Sequence, residues 1–443
     1  MDDVNASVRE KAPSQDEMDE NPQRRPELSP DEAEPRNAGP LAGIRVLDLT
    51  TVVMGPYATQ ILADLGADVV KLEPPGGDVM RHVGPMRNPA MGHLFLNANR
   101  NKRSIVLDLK RPQARDAALC LAAHADVLIH NIRPQAMDRL GLGYDAVSAA
   151  NPGIVYVAAV GFGSGGRYAG KPAYDDLIQG MTGLASVIME ASGGEPRYVP
   201  CTMADRTVGL YVANAVSAAL VHRERTGRGQ SVEVPMFEVF TQFVLNDHLA
   251  GLTFDPPVGG ANYARLMTPH RRPYATQDGH LCVLIYNDKQ WQSFFRLIGQ
   301  EERLTSDPRF ATHGQRAANI DAVYAFVAEV MRGRTTAEWI ELLEAGDIPV
   351  MPLNTVASLL DDPHLNDVGF LQTVEHPSEG RLRVMDVPGD WSDCEPGLRM
   401  PAPQLGEHTV EILREAGLSD AEIEAAASPG DAGRKPDQGK TVA

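Results

Sequence analysis

The segment GFGSGG at Gly161–Gly166 has the G-x-G-x-x-G spacing of a dinucleotide-binding loop and follows a β-branched run. Such a loop needs a helix starting at its end, so that free N-terminal amides meet a pyrophosphate, and an acid about twenty residues on for the ribose. The chain instead continues RYAGKPAY, where Gly170 and Pro172 break any helix, and the acid is missing. The segment is therefore read as a mobile glycine-rich loop and nicotinamide chemistry is set aside. A serine-nucleophile elbow fails as well, because Phe162 stands where G-x-S-x-G requires glycine. The twelve histidines form no H-E-x-x-H motif and no tight cluster with acids, so no metal site is expected. Asp78, in the GGD of Gly76–Asp78, suits an ordinary turn. Asp205, in PCTMADRTVG, stands at the head of the longest helical pattern, where aspartate is a favoured N-cap.

The elements that must position these residues alternate between strand and helix patterns. Ile44–Thr50, Asp68–Glu73, Ser104–Leu109, Asp126–Asn131, Ile154–Val160 and Ser231–Met236 read as short strands. Between them, Pro56 and Pro112 open helical periodicities. Alternation of this kind predicts an α/β fold, a doubly wound parallel sheet with helices on both faces. The pattern from Asp205 to Arg225 is apolar almost all round and is expected to be buried. From about Gly259 the character changes: a turn at Asp278–Gly279 joins two short strands, and helices follow around Trp291–Ile298, Ile320–Met331 and Ala337–Ala345. This predicts a smaller α+β domain.

A length of 443 residues allows two or three compact units. The 41 basic against 59 acidic residues give a net charge of −18, which disfavours nucleic acid as a partner. Cys120, Cys201, Cys282 and Cys394 are scattered without a CxxC pair, which fits a reducing cytoplasm. No secretory signal pattern opens the chain, and no apolar run reaches the ~20 residues of a membrane span. Residues 1–38 hold eleven acids and five bases, are proline-rich and lack aromatics, so they are expected to be disordered, as are 429–443. The intervening divisions are a large domain from 39 to 235, a linker at 236–258, a small domain at 259–350, and a further stretch at 351–428.

Several segments, in order, closely resemble the class III CoA-transferases, the family of formyl-CoA transferase, carnitine CoA-transferase and 2-methylacyl-CoA racemase. The opening GPLAGIRVLDLTTVVMGPYATQILADLGADVVKLEPPGGD is the most diagnostic, and ADVLIHNIRPQAMDRLGLGYDAV, GFGSGGRYAGKPAYDDLIQGMTGL, RRPYATQDGHLCVLIYNDKQW and PQLGEHTVEILREAGLS continue it. The resemblance runs from about Gly39 to Ala427. It implies that the large domain is Rossmann-like, binds CoA and is built from both ends of the chain, so that 351–428 holds a linker and a C-terminal return to it. It also implies an interlocked homodimer, which breaks the usual rule against threading.

By the same resemblance, Asp205 is the nucleophile, about thirty residues after the aromatic–acid pair Tyr174–Asp175. Helix amides around it are expected to keep it ionised and to stabilise an oxyanion. Asn131, Arg133, Arg139, Leu107 and the segment Lys171–Tyr174 are implied to contact CoA, which is carried as a substrate with no permanent cofactor. Arg100, Lys102 and Arg103 are expected to be solvated at the surface. The implied activity is transfer of CoA from an acyl-CoA to a carboxylic acid through aspartyl anhydride and aspartyl-CoA intermediates. Epimerisation of an acyl-CoA and silent CoA binding remain as alternatives. Val53 stands where formyl-CoA transferase has glutamine, and Tyr174 where the racemases have histidine. Whether His270, Arg271 and Arg272 bind a substrate carboxylate or form a surface cluster stays open.

Overall fold

A computed structural model describes residues 39–427; the tails 1–38 and 429–443, expected to be disordered, lie outside the described residues. Six parallel strands form one sheet: β1 (Arg45–Leu49), β2 (Asp68–Glu73), β3 (Lys102–Val106), β4 (Val127–His130), β5 (Val155–Val160) and β6 (Gln230–Pro235). Their order is β3-β2-β1-β4-β5-β6, the doubly wound order in which the chain leaves β1 in one direction and returns at β4 to run in the other. Val46 of β1 pairs with Val69 of β2 and Val127 of β4, which fixes the register at that reversal.

Residues of the inner strands alternate between two covered faces, as a parallel sheet requires. Val46, Val69, Val127 and Val155 meet the helices Met54–Asp64 and Met203–Thr226, with Met236, Phe240 and Val244 of the helix Met236–His248. The stretch expected as a linker thus begins with a helix packed into this core. On the opposite face Leu47, Val70, Leu128 and Tyr156 meet the helix Pro112–Ala123, and Ile412, Leu413, Ile423 and Ala426 from the end of the chain. Gly209 sets how close the two helices on the first face come, since a Cβ there would lie 2.8 Å from the Met54 carbonyl oxygen.

A second sheet pairs β7 (Tyr274–Ala275), β8 (His280–Val283) and β9 (Val350–Pro352) antiparallel, with the turn at Asp278–Gly279 where the sequence predicted it. Its own apolar cluster gathers Trp291, Phe294, Phe295, Phe310 and Trp339. The hairpin of β10 (Leu371–His376) and β11 (Gly380–Met385) stands apart from both sheets.

Two expectations are corrected. Arg100, Lys102 and Arg103 are not solvated: Lys102 is fully buried against Asp48 at 3.2 Å, Arg100 pairs with Asp64 at 2.8 Å, and Arg103 pairs with Asp68, Glu411 and Glu415. The segment around Gly397–Thr409 covers this sheet edge, so Lys102 and Arg100 must find buried acids, while the partners of Arg103 stay partly exposed. The helix Met203–Thr226 buries one face only, and Leu210, Tyr211 and Val221 are about half exposed on the other.

Glu73 and Arg81 form a buried pair joined by two hydrogen bonds of 2.7 Å, and Glu73 also accepts from Ser104 Oγ and the Asp78 amide. Removing one partner strands the other charge in the interior. Glu73→Ala should cost about 3–5 kcal/mol in urea unfolding, while a volume-matched apolar replacement of both residues should recover most of it. An unchanged unfolding midpoint in Glu73→Ala would contradict this.

Candidate active site

Parallel strands deliver their carboxyl ends to one edge of the sheet, and the reversal between β1 and β4 opens a crevice there. A cavity of about 580 Å³ occupies it. Thr51, Val52 and Met54 enter from the turn after β1, Asn131 and Arg133 from the turn after β4, and Gly161, Phe162 and Ser164 from the glycine-rich loop after β5. Lys171, Tyr174, Asp205 and Glu233 complete the wall.

The turn after β1 is held residue by residue. Asp48 Oδ1 accepts from the Thr50 amide at 2.8 Å and its hydroxyl at 2.5 Å, and Lys71 Nζ donates to the Thr50 carbonyl at 2.8 Å. The Asn131 side chain accepts from the Thr51 amide at 3.0 Å and donates to its carbonyl at 2.8 Å, stitching the two turns together across the crevice. Asp78 Oδ1 accepts from the Val52 amide at 3.2 Å. Val52 has φ +74°, a left-handed conformation that a β-branched residue adopts only when its surroundings impose it. Asp78 is itself fully buried, with Lys71 Nζ 3.0 Å from Oδ2 in an ion-pair contact without hydrogen-bond geometry. The Asp78 that the sequence assigned to an ordinary turn is thus a brace for the cavity wall. Burial opposes ionisation of Asp48, yet Lys102, Lys71 and the Thr50 and Thr59 hydroxyls outweigh it and hold its carboxyl below the usual range.

Asp205 is the third residue of its helix; Thr202 is the N-cap, so the expected capping role is corrected. Its amide donates to Asp175 Oδ1 at 3.0 Å. Asp175, nearly buried, accepts from Gln179 Nε2 at 2.6 Å, and Gln179 Oε1 accepts from the Val199 amide at 2.8 Å. One carboxylate therefore occupies the helix head while the other projects into the cavity. The sequence reading marked Tyr174–Asp175 and passed over Gln179; the signal was its i, i+4 spacing from Asp175 on one helix face.

This arrangement overturns the expectation that helix amides keep Asp205 ionised. Desolvation in the cavity wall, then the negative charge of Asp175, push its carboxyl up to about 7, against a smaller opposing pull from Arg206. Arg206 lies over the Tyr57 ring at 4.5 Å.

Of the other sequence-derived residues, Asn131, Arg133, Lys171 and Tyr174 line the cavity. Lys171 sits over the Tyr168 ring at 4.5 Å, and Tyr174 is mostly exposed. Leu107 and Arg139 do not line it: Leu107 is buried in the core on the opposite sheet face, and Arg139 ends the short helix Pro134–Arg139 in solvent. Two amides of the glycine-rich loop are held by acids, the Gly163 amide donating to Glu238 Oε1 at 2.9 Å and the Ser164 amide to Glu233 Oε1 at 2.8 Å.

The profile of CoA-transferase family III matches residues 41–409. The chain belongs to that family. An acyl-CoA transferase of Fusarium pseudograminearum is 35% identical over 405 residues, which cover 87% of this chain and 86% of that protein. The succinyl-CoA:glutarate CoA-transferase of Homo sapiens is 30% identical over 385 residues, covering 86% of each. A crystal structure of a CAIB/BAIF family protein from Brucella suis superposes with a TM-score of 0.72 at 31% identity, covering 86% of this chain and 100% of that one. This CoA-transferase accordingly shares the mixed α/β fold with its six-strand parallel sheet.

A carboxyl raised above its ordinary 3.8 binds more protons folded than unfolded, so stability falls as pH climbs between about 4 and 7. Asp205→Asn removes that proton uptake. Its urea midpoint should gain on the parent protein across that window and run parallel above it, and an equal pH slope in both proteins would contradict the assignment.

Proposed function

We propose that this chain moves CoA from an acyl-CoA donor to a carboxylic acid acceptor, with Asp205 as the covalent nucleophile. The observation that carries this reading is a half-buried carboxylate in the wall of the switch-point cavity, braced from behind by Asp175, in a chain of the CoA-transferase family.

The ionised Asp205 attacks the donor thioester carbonyl; the C–S bond breaks, giving a mixed anhydride and CoA thiolate. The thiolate attacks the aspartyl carbonyl of the anhydride, releasing the donor acid and leaving an aspartyl-CoA thioester. The acceptor carboxylate then attacks this thioester, again releasing thiolate and forming a second anhydride. Thiolate attack on its acceptor carbonyl yields the new acyl-CoA and frees Asp205. One thioester replaces another, so no ATP is required.

A pKa near 7 serves this sequence in two ways. The carboxylate is available near neutrality, and a more basic carboxylate is a better nucleophile than an ordinary aspartate. Water must stay out while the anhydride exists, and the tethered Gly161–Gly166 loop forms the wall placed to exclude it. Arg133 and Lys171 supply cations for the CoA phosphates, Tyr174 an exposed ring for stacking, and Asn131 the rigidity of the turn. Arg139 enters only as a contact for the part of an extended CoA that projects past the cavity, and Leu107, sealed in the core, is not among the contacts.

The same reading includes a two-domain layout, the parallel sheet with its C-terminal helices forming the large CoA-binding domain and β7–β9 with their helices the small one. It also includes an interlocked homodimer, supported by the half-exposed Leu210, Tyr211, Val221 and Phe243 on neighbouring helices, apolar surface suited to a second copy. A cytoplasmic location fits the four free cysteines. No helix among the described residues is long and apolar enough to cross a membrane.

Asp205→Ala should lower turnover by about 10⁴-fold or more while the CoA dissociation constant, measured by calorimetry, stays nearly unchanged. Normal turnover in that variant would refute the role. Asp78→Ala should lower kcat by freeing the strained Val52, and Val52→Gly, which adopts φ +74° without strain, should restore part of it in the double variant. Failure of Val52→Gly to rescue would reduce Asp78 to a simple buried ion-pair partner.

A further inference from the structure

The more buried arginines Arg81, Arg100, Arg103, Arg223 and Arg316 pair with carboxylates. Arg271 and Arg272 do not. Both are exposed, and their guanidinium groups meet no acid or hydrogen-bond acceptor among the described residues. They converge on the rim of a cavity of about 360 Å³ beside β7 and β8, separate in its lining from the one that contains Asp205. A third arginine, Arg265, reaches the same cavity, its Nε donating to the Tyr324 hydroxyl at 3.0 Å and its terminal nitrogens left available.

Beneath this rim the cavity is apolar. Trp291, Ile285 and Tyr324 are each less than a tenth exposed and form its floor, and no carboxylate lines it. Three guanidinium groups around one cavity with no carboxylate in its lining make it locally electropositive in a chain of net charge −18, which attracts an anionic ligand. Guanidinium groups match the planar carboxylate in two-point contacts, and the aromatic and aliphatic floor suits a hydrocarbon body of ring size. A nucleotide fits less well, since the floor offers few polar groups to a sugar or base. His270, next in sequence, does not line the cavity.

We propose that this cavity is a binding site for an organic carboxylate with an aromatic or branched hydrocarbon body, held by Arg265, Arg271 and Arg272 and distinct from the cavity that contains Asp205.

Phenylacetate is a suitable probe, with uncharged phenylacetamide as its control, titrated calorimetrically into the full chain and into Arg271→Gln/Arg272→Gln and Asp205→Ala. Both substituted arginines are exposed, so that variant should fold, which its circular dichroism checks. The acid should bind the parent and Asp205→Ala alike, the double arginine variant at least tenfold more weakly, and the amide should not bind saturably. Adduct formation on Asp205 from an acyl-CoA donor alone should be unchanged in the double variant. No saturable binding of the acid, equal binding to the double variant, or competition by CoA alone would overturn the proposal. So would a change of sedimentation in the double variant, which would assign the arginines to a second copy of the chain. Absence of any Asp205 adduct in the parent would defeat the transferase reading while leaving the binding result to stand.

Discussion

A doubly wound parallel sheet has one place where neighbouring strands send their following turns apart, and this chain hangs its chemistry on that gap. The turns after β1 and β4 are drawn back together by the amide of Asn131, which satisfies both backbone groups of Thr51. Behind them, Asp48, Lys71 and Asp78 hold Thr50 and Val52 from the protein interior. Buried charges of this kind contribute little net stability, because desolvation offsets most of their attraction. Their value here is geometric: they hold a β-branched residue in a left-handed conformation at the wall of the cavity.

The two aspartates at the head of the Met203–Thr226 helix divide one task. Asp175 takes the helix amide and is fixed by Gln179; Asp205 is left facing the cavity without that amide. Desolvation and the neighbouring charge then raise its proton affinity, where a capping role would have lowered it. A helix N-terminus therefore need not make its first-turn acid more acidic. The outcome depends on which group claims the free amides.

Much of the sheet was legible in the sequence because buried parallel strands are short β-branched runs, and Asp68–Glu73 falls on its predicted bounds. The long helix was found from its apolar run, but that run does not report which face lacks a partner in the single chain. Arg100, Lys102 and Arg103 were misread for a related reason. A basic cluster looks solvated until Asp48 and Asp64, more than thirty residues earlier, and Glu411 and Glu415, some three hundred later, are brought against it. Asp205, Arg133, Lys171 and Tyr174 were placed together through family resemblance. Asp78 was missed because its work is done through the backbone amide of Val52, which carries no sequence signature, whereas Gln179 left a signal in its i, i+4 spacing from Asp175.

The central claim is that Asp205 becomes covalently bonded to CoA. Peptide mass spectrometry of the enzyme, acid-quenched after incubation with an acyl-CoA donor and no acceptor, tests it most directly. The account predicts a CoA-mass adduct on the peptide containing Asp205, discharged when an acceptor acid is added. An unmodified peptide in enzyme that turns over at full rate would contradict it.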